Sequence, residues 1–233
     1  MKIEQLKKLL ENYNIAFNQS MVDAFSKYSE LLSEWNQKFN LTSLSEEDFL
    51  EKHFYDSLLL VKTFNFENQA VLDIGTGAGF PGLPLKIVFP DIELVLVEPT
   101  TKRCTFLHEV INQLGLKKVT IINARAEELD GSFRSRFDVV VARAVAHLSI
   151  ILELALPYVK VDGVFIALKG PSADEELEAS KHAVKTLNAK LIKRDESILP
   201  SDKSLRLNLV FLKLKPISDK YPRNYALIKR KPL

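Results

Sequence analysis

Residues 71–82 read Val71-Leu72-Asp73-Ile74-Gly75-Thr76-Gly77-Ala78-Gly79-Phe80-Pro81-Gly82. A short apolar run passes directly into a glycine-rich turn and then into helix-compatible sequence. Glycine permits positive φ and lets a ligand approach the backbone closely. Pro81 suits a first helical turn, where its missing N–H costs nothing. In an open α/β sheet such a turn, at the carboxyl end of a strand, is where a nucleotide-like cofactor binds. A tight strand–helix turn without a ligand is the alternative.

Two registers compete. Gly77-Ala78-Gly79-Phe80-Pro81-Gly82 matches the dinucleotide pattern G-x-G-x-x-G. Its first glycine falls three residues beyond Ile74, too late for that fingerprint. The register Asp73-x-Gly75-x-Gly77-x-Gly79 fits better, with an acid ending the strand and the turn following at once. Asp73 can anchor the loop's amides or meet a cationic amine. S-adenosylmethionine carries such an amine and has no pyrophosphate to place on a helix N-terminus. The next apolar run, Ile92–Val97, ends in Glu98, 23 residues after Gly75. A carboxylate there accepts ribose hydroxyls of NAD or S-adenosylmethionine equally well.

Outward from this segment the pattern alternates. Strands are expected at Ala70–Ile74, Ile92–Val97, Val119–Ile122, Phe137–Val141 and Val164–Leu168, with helices at about 81–89, 101–114, 147–159 and 172–188. That alternation implies a doubly wound α/β layer with a mainly parallel sheet. Ala189–Ile198 and Leu205–Leu214 are joined by a polar turn without a helix, so an antiparallel hairpin closes the sheet.

Before residue 66 the chain reads as helical. Apolar residues recur at helical spacing from Ile3 to Tyr13 and from Val22 to Phe39, with Ser20 as cap of the second helix. A third helix is expected from Glu46 to about Lys62, capped by Ser45. Asn40-Leu41-Thr42 and the His53, Asp56, Ser57 cluster are not explained by core packing. After Leu214, three prolines mark an irregular tail. The expected organisation is a helical extension over 1–65, an α/β domain over 66–215 and a basic tail over 216–233.

The 233 residues, 46% hydrophobic and 27% charged, form an ordinary globular chain. No stretch approaches the roughly 20 apolar residues of a membrane span. The single Cys104 excludes an internal disulfide and a cysteine-based zinc cluster. The start, Met1-Lys2-Ile3-Glu4-Gln5-Leu6, has no signal-peptide pattern, so a cytoplasmic protein is expected. The net charge of +2 hides an asymmetry: 14 Lys/Arg face 8 Asp/Glu in residues 171–233, against 7 and 10 in residues 1–65. This basic third either attracts a polyanion or is a solvated tail.

The glycine segment, Lys102-Arg103 with Phe106-Leu107, Asn123-Ala-Arg-Ala-Glu127, Val141-Ala-Arg-Ala144 and Ala167-Leu-Lys-Gly170 together resemble the RsmG (GidB) family. The resemblance covers essentially the whole chain, including Asn40-Leu-Thr42 and His53-x-x-Asp56-Ser57. It implies a class I S-adenosylmethionine-dependent methyltransferase (Rossmann-like) fold and methylation of N7 of a guanine in bacterial 16S rRNA. The implied cofactor is S-adenosylmethionine. The implied partner is 16S rRNA or a small-subunit ribosomal particle, with no membrane and a monomeric chain. Carried over by position, Asp73, Gly75, Gly77 and Phe80 hold the cofactor on the loop. Glu98, Pro99 and Thr100 lie near the ribose and adenine. Ala126 and Glu127 flank the adenine, and Arg143 stands at the methyl-transfer mouth as the catalytic residue and as a further cofactor contact.

RNA contacts are expected at Arg143, Lys169, His53 and Arg223. Arg143 paired with Asp138 or Glu127, and Lys169 as a plain surface lysine, are the alternatives. The chain departs from the family pattern at Ala142, where a serine is usual. It departs again after Pro222-Arg223, where Asn224-Tyr225-Ala226 replaces a glycine-containing continuation.

The acceptor chemistry is constrained independently. No Asp/Asn-Pro-Pro-aromatic turn follows the fourth strand, which disfavours amine methylation of adenine or cytosine. Cys104, the only thiol for a covalent pyrimidine mechanism, lies early in a helix and reads as a packing residue. A dinucleotide-dependent oxidoreductase and a non-catalytic RNA-binding module remain as alternatives.

Overall fold

The computed structural model describes residues 3–233; Met1 and Lys2, part of the segment read for a targeting signal, lie outside the described residues. Seven strands form one sheet in the order β3-β2-β1-β4-β5-β7-β6. They are β1 Ala70–Ile74, β2 Glu93–Val97, β3 Val119–Ile122, β4 Phe137–Arg143, β5 Val159–Lys169, β6 Ala189–Ile198 and β7 Leu205–Lys213. The first five pair in parallel, and β7 runs antiparallel to both β5 and β6. The expected mixed sheet with its closing hairpin is therefore the observed one.

Period-two alternation splits the strand residues between two cores. Val71, Leu94, Val139 and Ile166 face the N-terminal helices and the helices Gly82–Val88 and Thr101–Gln113. Leu72, Val95, Val140 and Phe165 face the helix Leu148–Ala155 and the C-terminal segment. Both faces of the parallel strands are covered, which explains their continuous apolar runs. The strand order reverses between β1 and β4. Their carboxyl ends open there into the crevice where such sheets bind ligands.

The N-terminal helices depart from expectation in detail. The second, Gln19–Phe39, starts one residue before Ser20; Asn18 caps it, its side chain accepting from Met21 N–H at 3.0 Å. Asn40 ends it in the left-handed region at φ 50°. The third is a composite: α-helical Glu46–Asp48, π-helical Phe49–Tyr55, α-helical Asp56–Leu58 and a 3₁₀ turn, Leu59–Lys62. Ser45 makes no capping hydrogen bond there. Single π turns inside α-helices gather at functional sites, and this one carries His53. The turn between β6 and β7 packs on the composite helix, where Glu51 accepts from Ser201 N–H at 2.8 Å.

The C-terminal segment is not an irregular tail. Asn224 caps a short helix, Tyr225–Arg230. Ile217, Tyr221 and Ile228 are buried in the second core. Among the described residues, no helix is long and apolar enough to cross a membrane.

Candidate functional site

The glycine turn is held from three sides. Gly75 and Thr76 N–H both donate to Val97 O, at 2.9 and 3.1 Å, tying the turn to the end of β2. Asp73 Oδ2 accepts from the Thr76 hydroxyl at 2.6 Å and from Gly82 N–H at 2.8 Å. Burial pushes the Asp73 carboxyl up to about 6, against the lowering effect of those two donors. Its Oδ1 is buried without a hydrogen-bond partner. Glu98 Oε2 accepts from Gly77 N–H at 3.0 Å, and its Oε1 accepts from Thr100 N–H at 2.9 Å. Gly75 and Gly77 sit at φ 66° and 61°, a region that costs a side-chain-bearing residue about 1–2 kcal/mol.

A cavity of about 280 Å³ opens beside this turn. Of the residues expected to hold the cofactor, Gly75, Glu98, Pro99, Thr100, Ala126 and Glu127 line it. Asp73, Gly77, Phe80 and Arg143 do not. Asp73 is fully buried beneath the turn and acts as its anchor. Gly77 contributes its amide to Glu98. The Phe80 ring points away into the helical layer: it stacks on Tyr28 at 5.3 Å and on His53 at 4.3 Å, ring centroid to ring centroid. Arg103, Arg125, Ala144, Val145, Leu154 and Tyr225 also line the cavity and went unassigned in the sequence.

A second cavity, about 510 Å³, lies across Ala144, which borders both. Ala144 is at φ 54°, a strained conformation of the kind that gathers at functional sites. This cleft brings Arg143, Lys169 and His53 together with Thr42, Asp56 and Arg206. Arg143 Nη1 donates to Lys52 O at 2.9 Å and to Asp56 Oδ2 at 3.1 Å. Arg206 Nε stands 3.0 Å from Asp56 Oδ1, so one carboxylate joins two arginines from β4 and β7. Arg143 therefore pairs with Asp56 and not with Asp138 or Glu127. Asp138 instead holds Ala70 N–H and Lys160.

His53 ties the cleft to the Asn40-Leu41-Thr42 turn. Arg143 can only donate, so His53 Nδ1 accepts its Nη2 at 3.1 Å and Nε2–H donates to Thr42 Oγ1 at 3.0 Å. Burial, with the Arg143 charge behind it, lowers the imidazole to about 3 from its ordinary 6.5. This neutral histidine contributes stability that is complete above pH 6.5 and lost as pH falls towards 3. Urea unfolding at pH 7 and pH 4.5 is expected to show a larger acid loss in the natural protein than in His53→Gln. Equal losses would rule out a buried neutral imidazole.

Two further expected RNA contacts are engaged in ion pairs. Lys169 stays on the cleft wall as a half-buried strut: its ammonium pairs with Glu176 at 2.6 Å and donates to Ala146 O at 2.8 Å. Arg223 is remote from the cleft, where its guanidinium grips the fully buried Glu153 through Nε and Nη2, at 2.7 and 2.6 Å. Cys104 is buried and its thiol donates to Glu98 O, a packing role as expected.

With this geometry in view, the comparisons with known proteins are specific. Residues 21–199 match the family model described as rRNA small subunit methyltransferase G. The ribosomal RNA small subunit methyltransferase G of Thermoanaerobacter sp. is 45% identical over the full length of both chains. That of Mycoplasma capricolum is also 45% identical, over 93% of this chain and 94% of its own. Among solved structures, TYW2 of M. jannaschii, in complex with AdoMet, superposes with a TM-score of 0.58 at 17% identity, over 74% of this chain and 79% of that one. YcgJ of Bacillus subtilis gives 0.56 at 17% identity, over 70% of this chain and all of its own. The structural likeness shows the fold, the Rossmann-like class I methyltransferase fold.

Proposed function

The chain belongs to the rRNA small subunit methyltransferase G family, and from that premise we propose that it transfers a methyl group from S-adenosylmethionine to N7 of a guanine in 16S rRNA. The observation that carries this reading is the meeting of two unlike cavities at Ala144. One is walled by the glycine turn and Glu98; the other is rimmed by arginines on a buried carboxylate.

The glycine turn and the cavity beside it fit the donor. The space beside Gly77 is open: beyond its chain neighbours, no atom lies within 4 Å of where a Cβ would stand. Asp73 Oδ1 leaves buried negative character under the turn, suited to a ligand carrying positive charge. Gly75 gives the closest backbone approach, Glu98 faces the ribose hydroxyls while fixing the turn, and Ala126 and Glu127 border the adenine. S-adenosylmethionine supplies an electrophilic methyl on a sulfonium. Guanine N7 has an exposed lone pair and no proton to lose, so the protein needs orientation and proximity rather than a general base. Arg143 orients the acceptor; His53 and Asp56 hold Arg143, and Thr42 fixes His53 from behind. The helical extension over 1–65 thus forms the acceptor floor against the methyltransferase domain of residues 66–215. The partner is 16S rRNA or a small-subunit particle, met in the cytoplasm.

The direct test is mass spectrometry of rRNA from cells with and without the protein. Loss of a 7-methylguanosine on deletion supports the reading, and an unchanged modification profile overturns it.

Charge in the C-terminal segment is tested separately. Deleting residues 216–233 would strip Ile217, Tyr221 and Ile228 from the core and unpair Glu153, so deletion reports folding. Lys229, Arg230 and Lys231 are exposed. Replacing all three with Gln is expected to flatten the salt dependence of rRNA binding by roughly two in log–log slope if each meets a phosphate. An unchanged slope would assign these residues to a solvated surface.

A further inference from the structure

The C-terminal segment that carries Arg223 reaches the donor cavity through Tyr225. We propose that residues 221–233 form a strap closing that cavity, and that Tyr225 supplies the aromatic face on which the donor's purine packs; this rests on the donor reading above. Tyr225 is the only aromatic side chain among the residues lining the cavity, whose other apolar walls are aliphatic. It stands beside Arg125, whose guanidinium lies 5.7 Å from its ring centroid, and Arg125 precedes Ala126 and Glu127 on the same wall. The proposed donor carries one flat aromatic group, and stacking is how such a group is held without reading its edges.

The strap is secured on both sides of Tyr225. Two residues before it, Arg223 makes its double contact with Glu153 and also donates from its own N–H to Glu153 Oε1 at 2.9 Å. Glu153 adjoins Leu154, itself a wall of the cavity. Three residues after it, Ile228 is fully buried. Upstream, the Arg134 guanidinium collects the carbonyl oxygens of Ile217, Ser218 and Tyr221. Tyr225 is half-buried, held in place yet presenting part of its ring.

The test is calorimetric titration of S-adenosylhomocysteine and of 5′-methylthioadenosine, which lacks the amino-acid arm. The proteins are the natural chain, Tyr225→Phe, Tyr225→Leu and Tyr225→Ala, each with its ligand-free melting temperature. Both ligands are expected to weaken by the same factor in Tyr225→Ala, about tenfold or more. Tyr225→Leu weakens them too, and Tyr225→Phe stays within about twofold, since only the ring face is needed. Should Tyr225→Ala fail to fold, Tyr225→Leu keeps the apolar bulk and decides the matter alone. Natural affinity in a folded Leu or Ala variant overturns the strap while leaving the donor reading intact. A natural chain that binds neither ligand overturns both.

Discussion

Gly75→Val is expected to fold and to lose S-adenosylmethionine binding by about 100-fold or more, because the substitution acts on backbone and cavity together. A Cβ at Gly75 would lie 2.8 Å from Val145 Cγ2 and 3.3 Å from Cγ1, and Val145 is itself a cavity wall. At φ 66° a β-branched residue is a genuine outlier. The backbone has no cheap escape, since Gly75 N–H is committed to Val97 O. Gly77→Val is the informative companion. Its φ of 61° imposes similar strain, but the space around it is open, so it is expected to weaken binding less than Gly75→Val. Calorimetry on variants with natural far-ultraviolet circular dichroism measures both. Natural affinity in folded Gly75→Val would remove the turn from the donor site.

What was legible in the sequence follows the range of the interactions. β1, the glycine turn and Glu98 are set by neighbours within one βαβ unit, and each is found where its pattern places it. Strand limits differ only at the ends, as with β5, which begins at Val159 although the apolar run starts at Val164. The acceptor cleft was legible as a set of unexplained residues but not as a site. Asp56 and Arg206 are 150 positions apart, and no periodicity connects them. The same holds for Arg125 and Tyr225, 100 positions apart. The C-terminal helix was hidden by its six-residue length, although Asn224 is an ordinary capping residue. Chain proximity to the turn says nothing about which face the Phe80 ring takes. Its burial among Tyr28, His53 and Phe54 depends on the packed helical layer.

Arg143→Ala is expected to lose methyl transfer by about 100-fold or more, as a misplaced acceptor does. S-adenosylmethionine should still bind within about tenfold, roughly 1.4 kcal/mol. The geometry separates the two effects: Arg143 borders the acceptor cleft, and the donor cavity is lined without it. Its guanidinium does four things at once, donating to Lys52 O, Asp56 and His53 and lying 5.2 Å from the Phe80 ring centroid. An ammonium cannot reproduce that planar fork, so Arg143→Lys should rescue little. Stability must be measured beside activity. Removing Arg143 leaves Asp56 with Arg206, which limits the charge imbalance, but it also deprives His53 Nδ1 of its donor. Asp56→Asn provides the control, because it loosens Arg143 without removing it. If Arg143 acts by orienting the acceptor, Asp56→Asn should reduce single-turnover methylation less than Arg143→Ala and leave donor affinity natural. Parallel loss of donor binding and transfer in Arg143→Ala would make Arg143 a donor ligand. Survival of both would reduce it to a clasp between the helical layer and β4, and the acceptor contacts would then have to lie elsewhere on the cleft, Arg206 first among them.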